Sequence, residues 1–332
     1  MSAEAKLSLR PSVQEVIDSS FARIESLVET EPGSRPRIES IDVDVTGSET
    51  SSDFHLSLKV KFSNPDTLEV TPQEDDEAGL FFNVEGHHVI ALIAMADLRS
   101  RSLAAATAVQ NILNAGNRDL LEAATFPDDI RNSQPQTKPF HFVDIPFEEG
   151  GPVNPRLPNA PHVISQIVEV SAFLKSRRGT DQEKVDALSW LIHLFGDIHQ
   201  PMHCIERISD EHPAGDRGGN SFKLRGNARN LHSLWDSSVD FGSAGEEELA
   251  LSITDEHSRA SLVNDLQITN VEAWARASFK LAKRFAYSIR ENPANPPRPT
   301  AAYLRKANEI GRRQAAIAGY RLSDRFTEIF DT

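Results

Sequence analysis

A single cysteine, Cys204, stands in a chain of 332 residues, so no intrachain disulfide can form. The sequence therefore gives no reason to place the protein in an oxidising compartment. Long apolar runs are missing as well: the longest, Val89 to Ala96, falls far short of the roughly 20 residues that span a bilayer, and no membrane span is expected. The opening residues, MSAEAKLSLRPSVQEV, lack the basic start, apolar middle and small-residue cleavage site of a secretory leader, so the chain reads as cytoplasmic. Basic charge is in deficit. Against 49 Asp+Glu there are 35 Lys+Arg, a net charge of −14, which argues against broad binding of duplex nucleic acid through a basic surface. The deficit is uneven, because residues 1–80 hold 7 Lys+Arg and 17 Asp+Glu and contribute −10, leaving −4 for the remaining 252.

What is present is mostly helical pattern. A hydrophobic fraction of 39% supports a buried core, and the length allows one large domain with a smaller module beside it. Residues 11–30 place Val13, Val16, Ile17, Phe21, Ile24 and Leu27 at helical spacing, while Ile41–Val45 and Phe54–Phe62 alternate apolar with polar as half-buried strands. These predict a small α+β N-terminal extension over residues 1–70. An acidic, turn-rich linker follows over 71–80 (TPQEDDEAG and Leu80), and a helical domain is expected over 81–332. Within that domain helices are predicted over 85–98, 103–113, 119–124, 162–176, 181–199, 271–291 and 300–329, with a short one around His232. A proline-rich loop is read from Pro127 to Pro161, with Phe140–Ile145 extended inside it, and Ser221–Leu224 forms half of a short β-hairpin. The expected fold is mainly α. No repeat of solenoid period is present.

The chemistry is concentrated between His193 and Asp236, where five of the eleven histidines lie. His193 and Asp197 are four residues apart in one helical pattern, and His232 and Asp236 are four apart in another. That spacing stacks each pair on one helix face and offers an imidazole nitrogen and a carboxylate oxygen toward one point. Nitrogen plus carboxylate suits zinc and related divalent ions, and His203, just after Pro201, adds a nitrogen. One histidine alone is more often an ordinary core or surface residue. Two His-x-x-x-Asp pairs and a third histidine within 44 residues point instead to a metal site. Three weaker candidates lie outside this stretch: His87 opening a helix, Asp128 in ATFPDDIR and His141 in FHFVD. Each has a plain alternative, since Asp128 and Asp129 could cap the turn after Pro127 and His141 could pack as a strand residue.

Taken in order, EGHHVIALIA, ATFPDDIR, FHFVD, HLFGDIHQPMH, DRGGN and NLHSLWDS resemble the zinc-dependent nucleases of the S-one and P-one type over about residues 82–330. These are single-strand-specific enzymes that share a multi-helix fold with zinc-dependent phospholipase C. In the phospholipase the last helical ligand pair is His-x-x-x-Glu; Asp236 at that position favours the nuclease branch. The resemblance implies up to three zinc ions. Asp128, His141, His193 and Asp197 would hold one, His203, His232 and Asp236 a second, and a third would share Asp197 and take His87. It also implies that Arg131 acts with Asp128 and Asp197 in catalysis by steadying charge on the phosphate. Phe142 would stack on a base while Asp144 hydrogen-bonds its edge. The implied activity is endonucleolytic hydrolysis of single-stranded DNA or RNA, with 5′-phosphorylated products and 3′-nucleotidase activity, by a chain expected to be monomeric. A phospholipase C-like phosphoesterase and a non-catalytic, zinc-stabilised interaction protein are the alternatives. One departure stands out. Family members begin, after leader removal, with a tryptophan whose free amine binds the third zinc, whereas Phe82 here is internal, and an amide nitrogen delocalised into its peptide bond is a poor ligand. Cleavage near Leu80, or Asn83 or Glu85 as a substitute, would supply what Phe82 does not. The disulfides and secretion common among those nucleases are a second difference.

Overall fold

The computed structural model describes residues 38–46, 55–62, 84–152, 154–239 and 245–331, and the chain divides into two units, Met1–Asp75 and Asp76–Thr332. In the first unit β1 (Ile38–Thr46) pairs antiparallel with β2 (His55–Phe62), Ile41 standing opposite Val60 and Val45 opposite Leu56. Both strands fall where alternation predicts them, with β1 longer at each end. The expected helix over 11–30 and the expected linker over 71–80 lie outside the described residues.

The second unit is a mainly helical assembly. Its elements are α1 (Val84–Arg101), α2 (Leu103–Ala115), α3 (Leu120–Asp129), α4 (Val163–Ser176), α5 (Asp181–Asp197), α6 (Leu231–Asp236), α7 (Glu246–Glu256), α8 (Val263–Leu266), α9 (Val271–Arg284) and α10 (Ala301–Phe330). At the centre lies α5. Its start is set by a reciprocal cap, in which the Thr180 hydroxyl accepts the N–H of Glu183 at 3.2 Å and the Glu183 carboxylate accepts that of Thr180 at 2.7 Å. Beyond Leu188 its residues are buried on nearly every side: Leu188, Leu191, Leu194 and Phe195 are fully covered by α3, α4 and the rest of the core. Each such side chain stabilises the fold by about 1.5–3 kcal/mol. The polar C-terminal turn of α5 is thereby carried into the interior. On another side α1 packs along α10, and Gly319 of α10 permits the approach, since a Cβ there would lie 2.6 Å from Ile93 Cγ2.

Several local expectations need correction. The α3 helix does not stop at Ala124; it runs through Pro127 to Asp129. Pro127 lacks the N–H that would donate to the Ala123 carbonyl, so the last turn forms without that hydrogen bond, and the proline ring is buried. Phe140–Ile145 is not one extended segment. Residues Pro135–His141 form a 3-10 helix that ends on His141, and the chain becomes extended at Phe142. It then pairs at Pro146–Phe147 (β3) in parallel with Glu206–Arg207 (β4). The hairpin at Ser221–Leu224 is reduced to a bridge between Lys223 and Asn230. The α9 helix ends at Arg284, followed by a 3-10 turn at Ala286–Ser288. Two helices, α7 and α8, are absent from the sequence reading. Leu249, Ala250 and Ile253 are the only buried residues of α7, too short a stripe for periodicity to reveal. No helix among the described residues is long and apolar enough to cross a membrane.

Candidate metal centre

Six elements deliver the eight predicted ligand residues to one place. His87 comes from the first turn of α1 and Asp128 from the last turn of α3. His141 closes the 3-10 helix, and His193 with Asp197 occupies the final turns of α5. A 3-10 turn at Pro201–Cys204 brings His203, and α6 brings His232 and Asp236. The α6 helix has only six residues, yet its entry is held by Asn230, whose side chain accepts the N–H of Ser233 at 2.7 Å. All eight are buried except Asp128, whose side chain is 12% exposed.

Their polar atoms crowd together. His141 Nδ1 lies 3.0 Å from both His193 Nε2 and Asp197 Oδ2, and Asp128 Oδ1 lies 3.6 Å from each of those two imidazoles. Asp236 Oδ1 is 3.6 Å from His203 Nε2 and 3.6 Å from His232 Nε2. Asp197 Oδ1 looks the other way, 3.3 Å from His203 Nδ1 and 3.7 Å from His87 Nε2, and so links the groups. Three sets have all their ligand atoms within 4.8 Å of one another: His87, Asp128 and His193; His141, His193 and Asp197; His203, His232 and Asp236. The first set differs from the expected partition, in that His87 is gathered with Asp128 and stacks on the His193 ring at 3.9 Å and 12°. Of the residues considered for the third group, Leu80, Phe82 and Asn83 lie outside the described residues, and Glu85 is exposed at the start of α1.

A metal fits this arrangement. His193 Nδ1 donates to the carbonyl of Ala124 (2.8 Å), His203 Nδ1 to that of His141 (3.0 Å) and His232 Nδ1 to that of Gly218 (2.8 Å). Each bond places a proton on Nδ1 and turns Nε2 toward the cluster as the atom that ligates once it carries no proton of its own. His203 Nε2, His232 Nε2, Asp128 Oδ1 and Asp197 Oδ1 are buried with no hydrogen-bond partner among the described residues. Orphaned acceptors of this kind are costly, and a cation satisfies them together. The electrostatics match. Burial raises the Asp128 and Asp236 carboxyls from 3.8 to about 7, and burial lowers His141 to about 4. Burial also disfavours charge on His193, but Asp197 and Asp128 outweigh it and raise that imidazole to about 9.

Beside the cluster is a cavity of about 200 Å³, lined in part by Arg131, Phe142, Asp144, Glu206 and Arg217, with His141, His203 and His232 at its metal-facing wall. Arg131 is buried at 4% exposure, and its charge bears on Asp128, His141 and Asp236. Three residues of the site escape the sequence reading. Gln200 donates from Nε2 to Asp236 Oδ1 at 2.6 Å, and Glu206 and Arg217 line the cavity. The glutamine was visible only as part of the HQPMH run; nothing local marks Glu206. Four histidines that match no ligand position are bound elsewhere: His88 to Glu246, His162 as the cap of α4, His199 to Arg321 and His212 to Glu291. Cys204 is buried, and burial pushes its thiol far up, so it is inert.

Comparison with known proteins agrees with this geometry. The chain is 29% identical to Nuclease S1 of Aspergillus oryzae over 177 residues, 51% of this chain and 58% of that protein. It is 28% identical to Endonuclease 4 of Arabidopsis thaliana over 176 residues (48% and 56%) and 28% identical to Endonuclease 3 over 202 residues (57% and 63%). The chain thus spans somewhat more than half the length of these relatives. The profile of the S1/P1 nucleases matches residues 82–331, which takes in every candidate ligand and the adjoining cavity, and the chain belongs to the S1/P1 nuclease family.

Proposed function

We propose that the protein is a zinc-dependent endonuclease that hydrolyses single-stranded DNA and RNA, leaves 5′-phosphorylated products and removes 3′-phosphates from nucleotides. The observation that carries this reading is the convergence of five histidines and three aspartates, several with orphaned acceptor atoms, beside a cavity that His141, His203 and His232 help to line together with a buried arginine and an aromatic ring. Zinc bound there would supply Lewis-acid activation of water and of the phosphate. Asp128 and Asp197 would orient the ions, Asp197 linking two groups through its separate oxygens. Arg131 would hold the phosphate oxygens as their charge grows. Phe142 would stack on the base beside the cleaved bond and Asp144 would hydrogen-bond its edge, which a paired and stacked base cannot offer.

Denatured DNA, RNA and phosphatidylcholine assayed side by side, with and without chelator, test the reading. Chelator-sensitive cutting of denatured DNA or RNA is expected. Turnover of lipid alone would assign a phospholipase, and full metal occupancy without any turnover would assign a structural site.

A further inference from the structure

The cavity beside the metal centre holds one carboxyl more than the family resemblance accounts for. Glu206, the first residue of β4, is anchored by backbone donors: its Oε1 accepts the N–H of Arg217 at 2.9 Å, and its carboxylate also accepts that of Gly218. Asp144 is hydrogen-bonded to this anchored group, and both line the cavity. Two carboxyls form such a bond only when one carries a proton. The two N–H donors favour the anion at Glu206, so the proton resides on Asp144 and its O–H donates to Glu206. Burial raises both carboxyls, Asp144 to about 7 with Glu206 and the nearby Asp216 adding to it, whereas at Glu206 the Arg217 and Gly218 N–H groups oppose the rise. Asp216 itself is tied back by the hydroxyl of Tyr287 (2.7 Å) and the N–H of Arg207 (3.1 Å). The other charged or titratable groups of the cavity are Arg131, Arg217, His141, His203 and His232.

With its one proton held inside the pair, the wall shows the cavity acceptors only: the carbonyl oxygen of Asp144 and the lone pairs of Glu206. We propose that Glu206 is a positioning residue that fixes Asp144 in this state, and that the pair selects bases with an exocyclic amino group over uracil and thymine. Guanine offers two adjacent donors, and adenine and cytosine offer a two-hydrogen amino donor at the rim of the edge beside a ring-nitrogen acceptor, whereas uracil and thymine present a single N–H screened on both sides by carbonyl acceptors. Acceptors facing acceptors leave buried polar groups unpaired, which is how a hydrogen-bonding site rejects a wrong ligand. The inference rests on the cavity being the base pocket of the proposed nuclease.

The test is equilibrium binding of the 5′-monophosphates of adenosine, guanosine, cytidine and uridine to the zinc-reconstituted full-length chain. Cleavage of oligo(dA) and oligo(dT) is measured alongside. Uridine monophosphate is expected to bind about tenfold more weakly than the other three, with the oligonucleotide preference expressed in KM and not in kcat. Glu206→Leu removes the anchor, and the preference falls to about twofold or less. Asp144→Asn keeps it, because the amide N–H replaces the O–H toward Glu206 and the amide carbonyl still faces the cavity. This isosteric variant also carries the test should Glu206→Leu fail to fold. Equal binding of all four nucleotides by the unmodified chain, retention of the preference in a folded Glu206→Leu, or its loss in Asp144→Asn overturns the proposal. A chain that shows the preference but cuts no nucleic acid supports the pair and rejects the nuclease reading.

Discussion

At the scale of single residues, burial decides what the candidate ligands can do. Asp128 and Asp236 each sit where burial lifts a carboxyl from 3.8 to about 7, and His193, held by Asp197 and Asp128 against its burial, is lifted from 6.5 to about 9. All three folded-state values exceed the unfolded ones. In the metal-free chain their contribution to stability is therefore complete at low pH and is lost as pH rises through about 7 for the carboxyls and about 9 for His193. Ligation by a divalent ion needs all three deprotonated, so zinc stabilises more as pH rises. Thermal midpoints with zinc and with chelator should diverge between about pH 5.5 and about pH 8; a constant or narrowing gap would count against the assignment. Gln200 gives a second prediction. Its amide holds Asp236 Oδ1 at 2.6 Å, so Gln200→Leu should weaken zinc at the His203, His232 and Asp236 group by about 10–100-fold, read by competition with a chromophoric chelator. His193, Asp197, His232 and Asp236 were legible in the sequence because helical spacing announces them. Asp128, His141 and His87 were weak candidates that only the resemblance joined to the site, and Gln200 and Glu206 were not legible as site residues, since their roles come from partners 36 and 62 residues away.

At the scale of elements, two glycines show how tightly the helices are set around the centre. Gly196, in the last turn of α5, lies under the His87 ring: a Cβ there would stand 2.6 Å from Nδ1. Gly196→Ala should displace His87 from its stack on His193 and lower zinc content by about one equivalent, leaving the His203, His232 and Asp236 group filled. Unchanged metal content, measured by mass spectrometry, would show that His87 is not needed. Gly319 performs the same service between α10 and α1, and Gly319→Ala should cost about 1–3 kcal/mol in chemical denaturation through its clash with Ile93. Helices with long apolar stripes, such as α5 and α10, were readable from periodicity alone. The extension of α3 through Pro127 was not, because a proline signals a stop to any local reading. Only the packing of α3 against α5 and α1 makes the extra turn worthwhile, and that turn carries Asp128.

For the whole molecule, charge is the property through which a role of the N-terminal residues can be tested. Residues 1–80 contribute −10 of the net −14, and an acidic segment can compete with a polyanionic substrate for a cationic centre. Removal of residues 1–80 should therefore raise the rate on denatured DNA by about twofold to tenfold at low salt, with the gain disappearing at high salt. Equal rates for the two chains at low salt would exclude such competition. What the amino-acid sequence by itself determined is the mainly helical class and the two His-x-x-x-Asp pairs, because both are periodic and a helix converts period directly into a shared face. Which carboxylates and imidazoles meet, that His87 stacks on His193 beside Asp128, and that Glu206 stands against Asp144 were decided by tertiary structure alone. Those contacts join residues up to 110 positions apart, and no local preference encodes them; they follow from the packing of buried helices whose polar ends have one interior to share.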